Sequence, residues 1–190
     1  MMEPSENGRH DPWPAPEDTT DDVLKALISA AVDLCLLRLG PQHMPASSAL
    51  FALLLLLSLV VGSLLAMAMG IEFSMALLES LFELLLMLSM LYLALKLVRK
   101  LGRFSQAGIA LMLSGLLLNL LALPLSSWYQ RTASAESGLL VLVLFFWNIL
   151  VLGHIIRHAF DVNLNIGIAV GLLYTLVIIN LAALLFPVPA

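Results

Sequence analysis

The sequence has little charge, one cysteine and no recognisable catalytic arrangement. Only 12% of its 190 residues are Asp, Glu, Lys or Arg, against about 25% in soluble domains, which argues against a water-exposed globular fold. The single thiol, Cys35, cannot form an internal disulfide and leaves no cysteine pair for a zinc or redox site. No Ser-His or Gly-x-Ser-x-Gly arrangement stands at a usable spacing, so we expect neither an enzyme nor a cofactor.

The N-terminal segment also lacks the features of a secretory signal peptide, because its first 46 residues are polar and acidic. We expect the first span to act as the insertion signal. Residues 1–40 hold eight acidic against three basic residues, whereas the remaining 150 hold five against six. This acidity excludes nucleic acid and anionic lipid as partners of the tail. Residues 1–19 contain four prolines among charges and are predicted to be a disordered acidic tail.

Long apolar runs are what the chain has in abundance. Hydrophobic residues make up 61% of it, and the mean hydropathy is +1.01. About 20 apolar residues in a helix cross a hydrocarbon core of roughly 30 Å. Five runs meet this requirement, and they cover residues 47–69, 73–98, 107–126, 138–156 and 164–186. The sequence therefore predicts an all-α fold, a polytopic integral membrane bundle of five transmembrane helices in contact with the lipid bilayer.

An amphipathic helix is predicted before the bundle, over residues 20–40. Thr20 can cap it, Asp21 and Asp22 suit its first turn, and Gly40 and Pro41 end it after Leu39. Its apolar stripe consists of Leu24, Leu27, Ile28, Ala31, Leu34 and Cys35. Such a stripe needs to be buried. It either lies along the cytoplasmic membrane face or beneath the bundle, or it forms a docking surface for a protein partner.

The distribution of basic residues predicts the orientation. If the N-terminus is cytoplasmic, eight of the nine cationic residues fall on that side and only Arg131 falls outside. The positive-inside rule favours this arrangement, which places the C-terminus outside. The basic residues near span ends are the candidates for lipid-headgroup contacts, namely Lys96, Arg99, Lys100, Arg103 and Arg157.

Polar residues inside the spans are the candidate ligand or proton sites, because each is costly in hydrocarbon unless paired or hydrated. Counted at 1.5 Å per residue, they form one layer about 10 to 15 Å deep from the outer ends. The layer consists of Glu79, Glu83, Asn119, Asn148 and Asn180. Either these side chains hydrogen-bond between helices and fix the packing, or the two carboxylates bind protons or a cationic or polar ligand.

A second cluster, His154, Arg157, His158 and Asp161, lies at the end of the fourth span. His154 and His158 are one turn apart, so a metal site with Asp161 is a weak alternative. The expectation is that no metal binds there, because the usual Glu between the histidines is missing, and that the cluster forms a cationic edge facing lipid phosphate.

Small residues recur at helix-contact spacing in two spans. Gly62, Ala66 and Gly70 follow one another every four residues, and Gly167 and Gly171 form a small-xxx-small pattern. This spacing is typical of close packing between transmembrane helices. The contacts are expected within the chain, with homo-oligomerisation as the alternative.

A further set of residues is spread along the spans, namely the stretch from Gly102 to Gln106, then Gly108, Ser114, Gly115 and Pro124, and then Trp147, Gly153 and His158. These residues give the chain a resemblance to the Yip family of five-span membrane proteins over residues 41–186. It implies a non-enzymatic scaffold or adaptor that recruits partners at the cytoplasmic face of a bacterial cytoplasmic membrane, through residues 20–40. The alternative from the residues themselves is a small proton-linked transporter or ligand-binding protein that uses Glu79 and Glu83. A membrane-embedded enzyme is the third and least favoured hypothesis.

Overall fold

The computed structural model of the protein describes residues 20–186, so the predicted tail at 1–19 lies outside the described residues. Within that range the chain forms α-helices and two 3-10 turns, without a strand. The helices are α1 (Thr20–Cys35), α2 (Ser48–Ala68), α3 (Phe73–Leu97), α4 (Phe104–Thr132), α5 (Ala135–Phe160) and α6 (Leu164–Leu185). The predicted all-α bundle with a helix before five long helices is confirmed.

Helices α2 to α6 are each long and apolar enough to cross a membrane. Many of their large apolar side chains point away from the protein, including Leu139, Leu173 and Phe146. A water-soluble protein rarely exposes such large apolar areas. The architecture fits a multi-pass membrane protein.

Short connections make successive helices antiparallel neighbours. Ser47, Ser134 and Asn163 cap α2, α5 and α6, and each side-chain oxygen accepts a hydrogen bond from the backbone N–H three residues later. The end of the bundle where α3 and α5 finish and α4 and α6 begin carries Lys100 and Arg103, and we call it the basic end.

Two spans extend beyond their predicted bounds of 107–126 and 138–156. Helix α4 continues through Pro124 and past Trp128 to Thr132, where Ala133 takes a left-handed conformation with φ 46°. Helix α5 begins at Ala135 and ends at Phe160. Hydropathy marks the segment that lies in hydrocarbon, whereas the hydrogen-bonded helix continues into the polar residues at both membrane surfaces.

Helix α4 is the centre of the fold and contacts α1, α2, α3 and α5. Every residue from Ala107 to Ser114 is buried, so this part of α4 is enclosed on all sides. Gly108 allows the close approach of α2, because a Cβ there would lie 2.7 Å from Cε2 of Phe51.

Helix α1 ends at Cys35, before the predicted end at Leu39. Leu37 adopts a left-handed conformation with φ 61°, and the N–H groups of Arg38 and Leu39 both donate to the carbonyl of Asp33. This pattern closes the helix C-terminus in the way a glycine cap usually does. Sequence reasoning placed the stop at Gly40 because no glycine stands nearer.

The C-terminal end of α1 packs against the side of the bundle, at the middle of α4 and α5. The thiol of Cys35 donates to the carbonyl of Ser114 (3.8 Å), and Nε1 of Trp147 donates to the carbonyl of Cys35 (3.0 Å). Ser114 lies about 15 Å along α4 from Phe104, at 1.5 Å per residue. Leu34 is fully buried there. This end of α1 therefore lies beside the spans rather than beneath them.

The segment after α1 returns along the bundle toward the basic end. His154 of α5 contacts the carbonyl of Leu39 through Nε2 (3.2 Å), and Nε2 of Gln106 donates to the carbonyl of Met44 (3.1 Å). Met44 is buried in the core. These contacts satisfy backbone carbonyls that would otherwise be costly among apolar helices.

The predicted small-residue contacts lie within the chain at Gly62, Gly167 and Gly171, whereas an added Cβ at Gly70 would meet no atom within 4 Å. A Cβ on Gly167 would overlap the carbonyl oxygen of Gly153, and one on Gly171 would lie 3.3 Å from Cγ of Leu152. Gly62 faces Ser80 of α3 in the same way, with a Cβ 3.2 Å from the hydroxyl oxygen. Close approach of α5 to α6 and of α2 to α3 thus depends on these glycines, and homo-oligomerisation stays a prediction.

Candidate intramembrane binding site

A cavity of about 260 Å³ lies between the middle parts of the five long helices. All five contribute polar side chains to its wall. These are Ser58 of α2, Ser80 and Glu83 of α3, Ser114 and Asn119 of α4, Asn148 of α5, and Tyr174 and Thr175 of α6. Ligand sites in proteins are commonly concave, largely apolar and lined by a few convergent polar groups, and this cavity has that character.

Three of the five residues of the predicted polar layer line this cavity, namely Glu83, Asn119 and Asn148. The other two do not. Asn180 is exposed, and its Nδ2 donates to the carbonyl of Leu176 in its own helix (2.7 Å). Glu79 lies one turn before Glu83, and its Oε2 is buried without a hydrogen-bond partner in the described part of the chain. The cavity thus brings together residues from three of the four helices expected to form the layer.

The polar side chains of the cavity fall into two groups by their hydrogen bonds. Ser114 and Thr175 donate to carbonyls one turn earlier in their own helices, at 2.8 and 2.9 Å. By contrast, Glu83, Asn119 and Asn148 make no hydrogen bond within residues 20–186. The interhelical bonds expected from a purely packing role are therefore missing among these three. Their hydrogen-bonding capacity remains available to a bound molecule or water.

Charge is unbalanced at this site. No Lys, Arg or His lines the cavity among the described residues, whereas Glu83 does. Glu79 stands four residues before it, so the two carboxyl groups share one face of α3 and ionised forms would repel each other. An ionised carboxylate at this depth requires a counter-charge or a proton. Within the described cavity wall, the protein supplies no cation.

Sequence reasoning missed five polar members of the wall, which are Ser58, Ser80, Ser114, Tyr174 and Thr175. Small hydroxyls are common in transmembrane helices because they can bond to their own helix backbone, so they give little signal. The buried hydroxyl of Ser58 has no hydrogen-bond partner within the described residues. Finding these five residues requires the rotation of each helix about its own axis, which residue counting does not give.

At the basic end, two of the residues predicted to contact lipid headgroups bind other groups of the protein. Lys100 Nζ and Arg103 Nη1 pair with Oδ2 of Asp161, at 2.8 and 2.9 Å. Lys100 also donates to the carbonyl of Phe160 (2.8 Å), and Arg103 donates to the carbonyls of His158 and Ala159. These cations therefore cap the C-terminus of α5, where the helix dipole favours positive charge.

Asp161 is consequently a structural residue of the basic end. Hydrogen bonds from Arg103 and Lys100 lower the pKa of the Asp161 carboxyl from 3.8 to about 2. The residue also closes α5 in a left-handed conformation with φ 55°. The next helix, α6, is capped by Asn163, whose side chain accepts a hydrogen bond from the backbone N–H of Ile166.

The remaining predicted headgroup contacts differ in their surroundings. Lys96 Nζ lies 5.9 Å from the centre of the Tyr92 ring. Arg99 and Arg157 are exposed at the basic end. Lipid contact through these three residues stays a prediction.

Within residues 20–186, which include the histidine cluster, no three or more His, Cys, Asp or Glu side chains are grouped so that they could hold a metal ion. His154 is buried, and its Nε2 contacts the Leu39 carbonyl. Its ring centre lies 4.6 Å from that of His158 in an edge-to-face arrangement. His154 therefore fastens the segment after α1 to α5.

Comparison with known proteins does not assign the chain to a family. No family model, curated protein or solved structure matches the chain. The fold and the cavity define the class to which the molecule belongs, a helical membrane bundle with a polar cavity at mid-depth.

Proposed function

We propose that this chain is a non-enzymatic membrane protein that binds a small polar solute in the cavity between its five long helices. The observation that carries the proposal is the convergence of Glu83, Asn119 and Asn148 on one cavity without hydrogen bonds to the described protein. Polar side chains in hydrocarbon are costly, and those that face a shared cavity typically mark a solute or ion path. If the bound solute is also transported, we expect a carrier that is coupled to protons through Glu83.

Water access to the cavity is the first test. In a Cys35→Ala background, Asn148→Cys is expected to react with a water-soluble methanethiosulfonate reagent at least about tenfold faster than Leu173→Cys. Asn148 lines the cavity, whereas Leu173 is 61% exposed on the outer surface of α6. Methanethiosulfonate reagents react with the ionised form of a thiol. A thiol ionises in contact with water but not in hydrocarbon.

Wild-type protein is the reagent control, because its single thiol, Cys35, is buried and so is poorly accessible to the reagent. Labelling is measured in intact membranes by mass spectrometry. Equal rates at positions 148 and 173 would contradict a hydrated cavity.

The orientation belongs to the same proposal, with the basic end in the cytoplasm and the C-terminus outside. It is supported by the concentration of Lys96, Arg99, Lys100, Arg103 and Arg157 at that end. A bacterial cytoplasmic membrane is the location implied by the Yip-like residues.

A Yip-like adaptor is the second candidate function. It is favoured by an apolar row that the bundle leaves uncovered, made of Leu24, Ile28 and Val32 on α1 and of Leu36 just after the helix. These residues recur every four positions, so they form one stripe of the kind that helix-binding partners recognise. The opposite face, with Ala31 and Leu34, is buried against the spans and holds α1 in place.

The double variant Leu24→Ser, Ile28→Ser tests the adaptor. Both side chains are about half exposed, so membrane insertion and bundle stability are expected to stay unchanged. Crosslinking in membranes followed by mass spectrometry should recover a partner with the wild type and with Ser29→Ala, an exposed control, but not with the double variant. Equal recovery with all three proteins would remove this function.

A further inference from the structure

We propose that the solute is a small amphipathic amine, whose ammonium group binds at Glu83 and whose apolar part lies against the cavity wall. The inference rests on the proposed function and names the ligand class of the same site. Three properties of the cavity support this ligand class: its charge, its size and the division of its wall into a polar and an apolar part.

The charge of the cavity wall favours a cationic solute. Glu83 is the acidic residue of the described cavity wall, and no basic residue accompanies it. An anionic solute would meet this carboxylate without a compensating positive group, and like charges repel each other more strongly in a medium of low dielectric constant than in water. A protonated amine instead supplies the positive charge that the described wall lacks.

Acceptor groups match an ammonium head. A primary ammonium has three N–H donors and no acceptor. Glu83, Asn119 and Asn148 each offer a side-chain carbonyl or carboxylate oxygen that no described protein group uses. Tyr174, from α6, adds an aromatic ring to the same wall. Aromatic faces attract ammonium groups, most strongly where water is excluded.

The size of the cavity favours an organic cation over a bare metal ion. Its volume is about 260 Å³, several times the roughly 30 Å³ that one water occupies in the liquid. A sodium or potassium ion would leave most of this volume to water. A small organic amine would occupy more of it.

The rest of the wall is apolar and lies beside the polar groups. It includes Leu84, Met87, Leu111, Met112, Leu152 and Ile178. Methionine side chains adapt to ligands of irregular shape. The cavity thus offers a polar part for the ammonium group and an apolar part for an alkyl or aryl body.

The test uses the full chain in lipid nanodiscs and three probes of similar shape. Phenethylamine is protonated at pH 7, 2-phenylethanol is neutral and phenylacetate is anionic. Equilibrium binding is measured by calorimetry. We expect phenethylamine to bind at least about tenfold more tightly than 2-phenylethanol, and phenylacetate to show no binding.

Variants assign the effect to the proposed contact. Glu83→Gln is expected to weaken phenethylamine binding at least about tenfold and to leave 2-phenylethanol unchanged. Glu83→Asp keeps the charge and should retain part of the affinity, which separates loss of the carboxylate from misfolding. Glu72→Gln is the matched control, because Glu72 is exposed at the start of α3 and lies outside the cavity wall.

The outcomes separate the ligand class from the proposed function. If 2-phenylethanol binds as tightly as phenethylamine, or if Glu83→Gln has no effect on the amine, the amine proposal fails while solute binding stands. If no probe binds although the Asn148→Cys variant reacts quickly with the water-soluble reagent, the ligand class is wrong and the hydrated cavity remains. If no probe binds and the Asn148→Cys variant is unreactive, both proposals fail.

Discussion

Gly167→Val is expected to lower the free energy of unfolding by about 3 kcal/mol, through overpacking of the contact between α5 and α6. A Cβ at this position overlaps the carbonyl oxygen of Gly153 and lies 3.2 Å from the backbone nitrogen of Arg157. Backbone atoms cannot move aside as a flexible side chain can, so the two helices must separate. The change is measured by unfolding in mixed micelles of a mild detergent and SDS.

The matched control is Gly115→Ala, at a glycine in α4 whose added Cβ would meet no atom within 4 Å. Removing the conformational freedom of a helical glycine stabilises by about 0.5 to 1 kcal/mol, so this variant should be slightly more stable than the wild type. A Gly167→Val protein as stable as the wild type would show that α5 and α6 do not pack through these glycines.

Leu34→Ala is expected to lower the free energy of unfolding by about 2 to 4 kcal/mol, the usual cost of emptying a packed leucine site. Leu34 is fully buried between α1 and the long helices. Its neighbour Cys35 is held by Ser114 and Trp147, which limits collapse into the space left behind. The same unfolding measurement applies.

Leu24→Ala on the same helix provides the comparison. This side chain is 55% exposed, and a surface substitution of this kind changes stability by at most about 0.5 kcal/mol. If Leu34→Ala and Leu24→Ala had equal, small effects, α1 would not be part of the bundle. The lateral position of its C-terminal end would then be wrong.

The long helices could be predicted because their signal is simple. Hydrophobic length defines a span, and the predicted 73–98 corresponds closely to Phe73–Leu97. The lateral packing of α1 could not be predicted, because its partners are single backbone carbonyls and the Trp147 indole, which leave no pattern in hydropathy. The left-handed conformation of Leu37, which ends α1, likewise leaves no recognisable pattern in the sequence.

The candidate site was predicted in part for a similar reason. Depth along a helix follows from counting residues, and this placed Glu83, Asn119 and Asn148 at one level. Rotation of each helix about its axis does not follow from counting, so Asn180 was assigned to the layer although it does not line the cavity and bonds to its own helix. The inward-facing hydroxyls of α2 and α6 were missed because helical rotation alone identifies them.

An electron cryo-microscopy map of the full chain in nanodiscs, recorded with and without phenethylamine, tests the cavity and its ligand together. We expect an open cavity with Glu83, Asn119 and Asn148 on its wall, and additional density beside Glu83 when the amine is present. A map in which leucine and methionine side chains fill this space, and the Glu83 carboxylate points toward the acyl chains, would contradict this expectation.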